Sequence, residues 1–238
     1  GIPYLNASLF SLTYTSENVS LLPSLINTLI MTLVSLAIAA PVGIFAAIFL
    51  VEYAKKGSRF VKLIRITAET LSGIPSIVYG LFGMLFFVTA LHWGMSLLSG
   101  ALTMVIMVLP LIMRTAEEAL KSVPDSYREA SFGLGAGKLR TIFTIVLPSA
   151  VPGILAGVIL AIGRVVGETA ALLYTSGTVA AVPNSLMGSG RTLALHMYVL
   201  SSEGLHVNQA SATAVVILAF VLVINGLSGL VARKIAKG

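Results

Sequence analysis

The sequence predicts an all-α, polytopic bundle of transmembrane helices. Its 238 residues are 57% hydrophobic and only 10% charged, and the mean hydropathy of +0.98 lies outside the range of ordinary water-soluble domains. Apolar runs long enough to cross about 30 Å of hydrocarbon recur along the chain. Basic residues gather in alternate connections between these runs, which is the charge pattern that orients membrane helices.

Five spans are predicted from the apolar runs, and their approximate bounds are residues 25–50, 74–91, 99–115, 149–174 and 210–232. Residues 1–24 are polar, lack the features of a signal peptide, and are predicted to form an extracytoplasmic arm. The transmembrane domain then covers residues 25–235. It includes a cytoplasmic loop at 117–148 and an extracytoplasmic loop at 176–209.

The basic residues set the expected orientation in the membrane. Thirteen of the 15 Lys and Arg residues follow the first, third or fifth span and so lie on one side of the membrane. In the connections on the other side there is only Arg191, and Arg164 lies inside the fourth span. The positive-inside rule therefore predicts a multi-pass membrane protein with its N-terminus outside and its C-terminus in the cytoplasm. The net charge of +6 then reflects topology and lipid contact, and no nucleic-acid partner is expected. The thirteen residues on one side are Lys55, Lys56, Arg59, Lys62, Arg65, Arg114, Lys121, Arg128, Lys138, Arg140, Arg233, Lys234 and Lys237.

An exported N-terminus without a signal needs an explanation, because the chain begins at Gly1. We expect a further N-terminal span that is missing here; the alternative is a protein with an outside N-terminus whose start was trimmed. The absence of cysteine excludes disulfides, thiol nucleophiles and thiolate metal sites. The three histidines are scattered, so no metal site is predicted.

Residues 59–71 have an amphipathic pattern typical of an interfacial helix. Arg59, Lys62, Arg65 and Glu69 share one face, whereas apolar residues such as Leu63 occupy the other. The segment 72–76 then breaks the helical pattern at its proline. Either a simple turn at the interface or a break that lines a pore would explain it.

The loop at 117–148 carries the most specific motif of the chain. It contains Glu129-Ala130-Ser131, then Gly135 after three intervening residues, then Ile145 after nine more, and Leu147-Pro148 after one more. This spacing resembles the E-A-A loop of bacterial ABC-importer permeases of the type I, MetI-like fold, with Ser131 in place of the second alanine. The resemblance implies a coupling helix that inserts into a groove of a separate ATPase subunit. Glu129 would then make polar contacts, and the small residues Ala130 and Ser131 would allow close approach. The alternative is a solvated loop helix.

A nearby glycine-rich string does not make this chain an ATPase. Residues 135–138 read Gly-Ala-Gly-Lys, but a phosphate-binding loop requires glycine where Phe132 stands and Ser or Thr where Leu139 stands. The chain is therefore predicted to be non-catalytic and to bind no cofactor, with ATP and Mg used by the partner.

The predicted fourth span contains two charged residues, Arg164 and Glu168. Charges within a span are costly and normally face a partner or an aqueous path. At i and i+4 of a helix they would share one face. They form either a structural ion pair or a site at which Arg164 meets an anion, since guanidinium groups suit tetrahedral oxyanions. Four glycines of the span, at 153, 157, 163 and 167, form two small-xxx-small pairs and predict close helix packing.

The string 161–173, with Glu168-Thr169-Ala170 following Arg164, is similar to A-type permease subunits of the phosphate-specific transport (Pst) importer. Residues 50–53 and 75–82 share this likeness, which is weak in 1–24 and 176–209. It implies import of inorganic phosphate along a path that includes Arg164, Glu168 and Thr169. The implied partners are a homologous permease subunit in a heterodimer, two ATPase subunits and an extracytoplasmic phosphate-binding protein. Arg114 either helps the anion leave or extends to lipid headgroups.

Three alternatives remain at this stage. A permease for molybdate, tungstate or sulfate fits the same residues, since one arginine does not distinguish tetrahedral anions. A secondary transporter or channel acting alone would not need the cytoplasmic docking loop. A purely structural membrane partner would not need charges inside the fourth span.

Overall fold

The computed structural model describes residues 11, 12, 14, 19–55, 57–204 and 206–237, without the side chains of 203, 227, 228 and 231–237. Most of the predicted arm, residues 1–10, 13 and 15–18, therefore lies outside the described residues.

The described chain is built from helices and their connections, with no strand in the described ranges, which confirms the all-α fold class. Several helices contain or continue into a π-helical turn. In chain order the helices are α1 (Leu22–Ile48, then a π-helical turn Phe49–Tyr53), α2 (Arg59–Ser72), α3 (Ser76–Gly83, then Met84–Ala90 as π-helix), α4 (Leu97–Lys121), α5 (Asp125–Gly133), α6 (Lys138–Thr141, then Ile142–Val146 as π-helix), α7 (Leu147–Val166), α8 (Ala170–Thr175), α9 (Leu193–Glu203) and α10 (Val207–Lys237).

Within the described residues, four helical segments are long and apolar enough to cross a membrane, and the pair α2 and α3 raises the number to five. Four of the predicted spans each overlap one of these long segments. The second predicted span, 74–91, corresponds to α3, which counts as a span only when it is joined to α2. The break between α2 and α3 falls where Pro75 predicts it, because Ser72 ends one helix and Pro75 adopts an extended conformation before Ser76 begins the next.

The fourth predicted span differs from the structure at its end. A continuous helix to residue 174 was expected, but α7 ends at Val166 and α8 begins only at Ala170. Gly167 lies at this break, and Thr169 has non-helical backbone angles of φ −122° and ψ −52°. Glycine is unfavourable in a helix because it loses more conformational freedom than other residues, and Gly167 therefore favours an interruption at this position.

The chain divides into two compact units. Unit 1 comprises Gly1–Ala37, Ile74–Met107 and Ile162–Val223, and unit 2 comprises Ile38–Gly73, Val108–Ala161 and Ile224–Gly238. Of the thirteen basic residues that the sequence assigns to one side of the membrane, Lys56 lies outside the described residues and the other twelve belong to unit 2.

Unit 1 ties the predicted extracytoplasmic loop to α1 by buried hydrogen bonds. Asn27 Nδ2 donates to the carbonyls of Ala181 and Arg191 at 2.9 and 3.2 Å. The backbone N–H of Leu193 donates to Thr28 Oγ1 at 2.9 Å. Since buried polar groups require partners, these bonds fix the segment before α9 against α1.

The core of unit 2 combines α1, α2, α4, the α6 segment and α7. In α2 the buried residues are Val61 and Ala68, whereas Phe60 and Leu63 of the predicted apolar face are 59% and 61% exposed. The packed stripe of α2 therefore lies beside the predicted apolar face. The buried members of the core are Ala47, Ile48, Leu50, Val61, Ala68, Met113, Ala116, Ala119, Leu120, Val123, Ile142, Val146, Ala150 and Ile154.

Two of the predicted glycine positions account for the close packing of α7 on α4. A Cβ atom on Gly153 would lie 2.7 Å from Ala119 Cβ, and one on Gly157 would lie 2.6 Å from Thr115 Cβ. Only glycine permits this approach. A Cβ atom on Gly163, in contrast, would meet no described atom within 4 Å apart from the backbone of its own helix.

Candidate coupling and substrate-path sites

A helix covers the E-A-A-like motif, as predicted, and it is α5. Lys121 ends α4, and Pro124 stands in an extended conformation before Asp125 begins the new helix. Glu129 and Ala130 are exposed on its surface. The two leading residues of the motif are therefore available for contact with another molecule.

Ser131, the third residue of the motif, faces its own chain. It is 4% exposed, and its hydroxyl lies 2.8 Å from Thr141 Oγ1 of α6. The family resemblance implies that Ser131 allows close approach because it is small, and the structure adds that its hydroxyl group contacts α6. It holds α5 against α6, where the hydroxyl is satisfied by another hydroxyl.

Gly135 closes α5 in a conformation that favours glycine. Its φ of +82° is in the left-handed region. The N–H of Gly135 donates to the Phe132 carbonyl at 2.9 Å, and the N–H of Ala136 donates to the Ser131 carbonyl at 3.1 Å. These bonds form a Schellman motif, which explains why the motif requires glycine at this position.

An open groove runs beside α5. Its volume is about 520 Å³. Leu134 is 90% exposed, although it is apolar and lies in a connection predicted to face the cytoplasm. An exposed apolar groove of this kind is typical of a protein interaction site. Its lining comprises Tyr127, Ala130, Ser131, Leu134, Gly135, Ala136, Arg140, Thr144 and Ile145.

Arg128 is a site residue that the sequence argument treated only as a topology signal. Its Nε and Nη2 donate to Glu52 Oε1 at 3.1 and 2.8 Å. Nη2 also donates to the Leu120 carbonyl at 3.0 Å. Nη1 donates to the Val123 carbonyl at 2.8 Å and to Asp125 Oδ1 at 3.1 Å. The five hydrogen bonds equal the five N–H donors of a guanidinium group.

Glu52 is the second residue that the sequence argument did not assign. It lies in the π-helical turn that ends α1, and its side chain is only 8% exposed. Two sequence signals could have indicated the pair: a carboxylate at the end of a long apolar run, and an arginine directly before the loop motif. Contact between residues 76 positions apart is not visible from spacing alone.

A second charged cluster lies at the end of α4. Glu117 Oε1 accepts from Arg65 Nη2 of α2 and from Lys121 Nζ, both at 2.6 Å. Arg114 is exposed, and it lines a cavity of about 180 Å³ together with Arg65, Glu117 and other charged residues. This places Arg114 in a polar environment within unit 2.

Arg164 lies in the last turn of α7 and is partly buried. Among the described residues its guanidinium group makes no hydrogen bond and no ion pair within 4 Å, although its charge acts on the phenol of Tyr79. The expected face shared with Glu168 does not exist, because α7 ends between the two residues. The structural ion pair considered from the sequence is therefore not formed within the described chain.

Glu168 and Thr169 lie at the break between α7 and α8. Glu168 is 9% exposed, and its Oε1 accepts a hydrogen bond from the N–H of Ala171 at 3.0 Å. Glu168 precedes Thr169, the N-cap residue of α8, and a carboxylate next to a helix N-terminus is favoured by the helix dipole. Thr169 lines a cavity of about 260 Å³, whose other lining residues are Ile77, Ala170, Leu173, Tyr174 and Tyr198.

Arg191, the basic residue predicted on the opposite side, is packed rather than solvated. It is 4% exposed, and its guanidinium carbon lies 4.6 Å from the centre of the Tyr14 ring, which is a cation–π geometry. His196 is fully buried beside the same tyrosine, with ring centroids 6.2 Å apart. Burial, and secondly the charge of Arg191, lowers the pKa of His196 to about 3.

Comparison with known proteins places this geometry in a family. Residues 39–237 match the family described as "Binding-protein-dependent transport system inner membrane component". Among solved structures, the chain resembles a bacterial alginate ABC transporter in complex with a pentasaccharide-bound periplasmic protein. The TM-score is 0.71 at 18% identity, covering 97% of this chain and 83% of that one. The methionine transporter MetNI gives a TM-score of 0.68 at 18% identity, covering 90% and 93%. These structures support the fold.

Curated relatives are more similar in sequence. The "Probable ABC transporter permease protein YqgI" of Bacillus subtilis (strain 168) is 34% identical over 231 residues, which is 89% of this chain and 78% of that protein. The "Phosphate transport system permease protein PstA 1" of Mycobacterium tuberculosis is 42% identical over 65% of this chain. A PstA homolog of Mycoplasma pneumoniae is 36% identical over 86%. The chain spans 50% and 33% of the length of these last two proteins. It therefore belongs to the family of binding-protein-dependent transport system inner membrane components, as a PstA-like permease subunit of an ABC importer.

Proposed function

We propose that this chain translocates inorganic phosphate across the bacterial inner membrane, driven by ATP hydrolysis in a separate ATPase subunit. The observation that carries the proposal is Arg164, a guanidinium group within a candidate span that has no ion pair among the described residues. Such a charge is costly in a membrane unless it meets an anion or water. The relatives named as phosphate transport permeases support phosphate as that anion.

The neighbouring residues have separate roles in this proposal. Glu168 is held at the start of α8 by the Ala171 N–H and so leaves the charge of Arg164 available. Thr169 offers a hydroxyl group beside the break. Arg114, exposed on α4, receives the anion on its way to the cytoplasm. Forked donors such as those of arginine suit the oxygens of a tetrahedral oxyanion.

The proposed assembly contains four further subunits or partners. A homologous permease subunit completes a heterodimer, two ATPase subunits use ATP and Mg, and an extracytoplasmic binding protein delivers phosphate. In this assembly α5 docks into a groove of an ATPase subunit, with Glu129 and Ala130 at the contact, because both are exposed on a short helix. The chain itself carries out no catalysis.

Uptake in reconstituted vesicles tests the proposed substrate. The complete complex is reconstituted with binding protein outside and ATP inside, and uptake of radioactive phosphate is measured. Phosphate uptake that requires ATP, and that excess molybdate, tungstate or sulfate does not inhibit, is expected. Stronger inhibition by one of those anions than by unlabelled phosphate would reassign the substrate. Uptake without any ATPase subunit would replace the importer by a secondary transporter.

Labelling of single cysteines tests the proposed orientation, and the cysteine-free sequence makes this direct. Cysteines at Ser58 and at the exposed Ser126 of α5 should react with an impermeant thiol reagent only from the cytoplasm. One at the exposed Asn184 should react only from outside. Ser126 is chosen on α5 because Ser131 of the same helix is buried and would not be accessible to the reagent. The opposite pattern would reverse the proposed topology.

A further inference from the structure

The environment of Arg128 is unusual for a residue in a docking loop. The side chain is 13% exposed, and all of its N–H donors are accounted for by bonds to Glu52, Asp125 and the carbonyls of Leu120 and Val123. These acceptors belong to the end of α1, the end of α4, the connection after it, and α5 itself. One guanidinium group thus joins three helices that are separate in sequence.

We propose that the Arg128–Glu52 pair is the joint through which movement of α5 is transmitted to the end of α1. Arg128 is then a positioning residue for the coupling of ATP hydrolysis to transport, and this inference depends on the proposed function. Among the described residues, the other side-chain hydrogen bond from α5 to a different helix is the contact of the Ser131 hydroxyl with Thr141 of α6. The exposed residues Glu129 and Ala130 remain free for the ATPase contact.

The energetics favour a rigid joint. Glu52 is 8% exposed, so the pair is largely removed from water, whereas Asp125 is 81% exposed and contributes little. Removing one partner of such a buried pair leaves an uncompensated charge and is strongly destabilising. Lysine keeps the charge but has three donors on a flexible stem, so it cannot reproduce the planar fork to Glu52 and the two carbonyls.

The first test uses Arg128→Lys, which preserves charge and keeps folding within reach. Arg59→Lys is the matched control, since Arg59 is exposed on α2 and forms no ion pair with another described residue. Two quantities are measured in reconstituted complexes: the ATPase subunit that copurifies, and the phosphate imported per ATP hydrolysed. In the Arg128 variant copurification should be unchanged while the import per ATP falls by about fivefold or more. An import per ATP equal to that of the Arg59 control would overturn the inference.

A cross-link provides the second test, because a covalent bridge restores the connection between the two positions without restoring either charge. The double variant Glu52→Cys with Arg128→Cys introduces the only cysteines of the chain. Both positions line an open cavity of about 520 Å³, so a short bifunctional thiol reagent can reach them. Cross-linking should restore import per ATP at least severalfold over the same variant treated with a monofunctional reagent. Equal values for the two treatments would overturn the joint.

The wild-type complex separates failure of this inference from failure of the proposed function. If wild-type vesicles show no ATP-driven uptake, the proposed function is wrong and the joint falls with it. If the wild type couples normally and both Arg128 experiments match their controls, the proposed function stands and only the joint is wrong.

Discussion

The carboxylate of Glu168 accepts a hydrogen bond from the backbone N–H of Ala171, 3.0 Å away, and does not pair with Arg164 in the described chain. The cause is local. Since α7 ends at Val166, residues 164 and 168 are not one helical turn apart, and Glu168 instead lies just before Thr169, the N-cap residue of α8. The two charges therefore have separate environments and should respond separately to substitution.

Arg164→Gln and Arg164→Lys should both assemble into the complex and import little phosphate. Hydrogen bonds to charged groups contribute about 1.5–3 kcal/mol, so we expect uptake to fall by about tenfold or more. The lysine variant retains the charge without the fork and so separates charge from geometry. Assembly is checked by copurification of the ATPase, and uptake by radioactive phosphate in vesicles. Normal uptake by either variant would remove Arg164 from the anion path.

The double variant Arg164→Gln with Glu168→Gln distinguishes the two roles that the sequence left open. A structural pair removed as a unit leaves no unpaired charge, and transport would then recover. Because the pair is absent here, no recovery is expected. Glu168→Gln alone keeps an oxygen that can accept from Ala171 and should lose only about 0.3–1 kcal/mol of stability from the helix dipole. Recovery of uptake in the double variant would restore the ion-pair hypothesis.

Glu129→Lys should uncouple ATP hydrolysis from transport without impairing folding. Glu129 is exposed on α5, so reversing its charge disturbs no described contact within the chain. At a docking surface the same reversal creates repulsion toward a complementary partner. We expect ATPase copurification or import per ATP to fall, with an unchanged thermal unfolding temperature of the isolated chain. Glu118→Lys, an exposed glutamate on α4, is the control. Equal transport in the two variants would argue against docking through α5.

The sequence predicts the spans well because membrane helices need long apolar runs, and those runs are unambiguous. It also predicts α5, since Pro124 and Gly135 mark its two ends by their backbone preferences. Local signals of this kind depend on neighbouring residues alone. They are available before any tertiary contact is known.

What the sequence does not predict depends on distant contacts or on small breaks. The break at Gly167 lies inside an apolar run, so periodicity continues across it while the helix does not. The orientation of Ser131 toward Thr141 and the pairing of Arg128 with Glu52 require the tertiary arrangement of α5. A single sequence does not show which face of a short polar loop helix packs against the rest of the chain.

Gly157→Ala should destabilise the isolated chain in detergent by about 1–3 kcal/mol, the usual cost of overpacking. A new methyl group would lie 2.6 Å from Thr115 Cβ, an atom whose position is fixed by the α4 backbone and which cannot rotate away. Gly163→Ala on the same helix is the matched control. Apart from the backbone of its own helix, it meets no described atom within 4 Å and should be neutral or slightly stabilising through better helix propensity. Thermal unfolding measures both, and equal shifts would contradict the close approach of α7 and α4.

The last prediction concerns acid stability and follows from His196, whose pKa is lowered to about 3 by burial and by Arg191. In the unfolded chain the imidazole has its ordinary pKa of about 6.5. Above that value the residue is neutral in both states and adds no pH dependence. Between the two values the unfolded state binds more protons, so the free energy of unfolding falls as the pH falls, by at most about 1.4 kcal/mol per pH unit.

His196→Leu removes this titration while keeping an apolar, buried side chain next to Tyr14. Its unfolding temperature in detergent should therefore rise relative to the wild type as the pH is lowered from 7 toward 5. His92→Asn serves as the control, because His92 is exposed and its φ of 56° is one that asparagine tolerates. That variant should follow the wild type at every pH. A constant difference between His196→Leu and wild type from pH 7 to 5 would mean that His196 is not held neutral by burial, since only a proton taken up on unfolding produces the expected divergence.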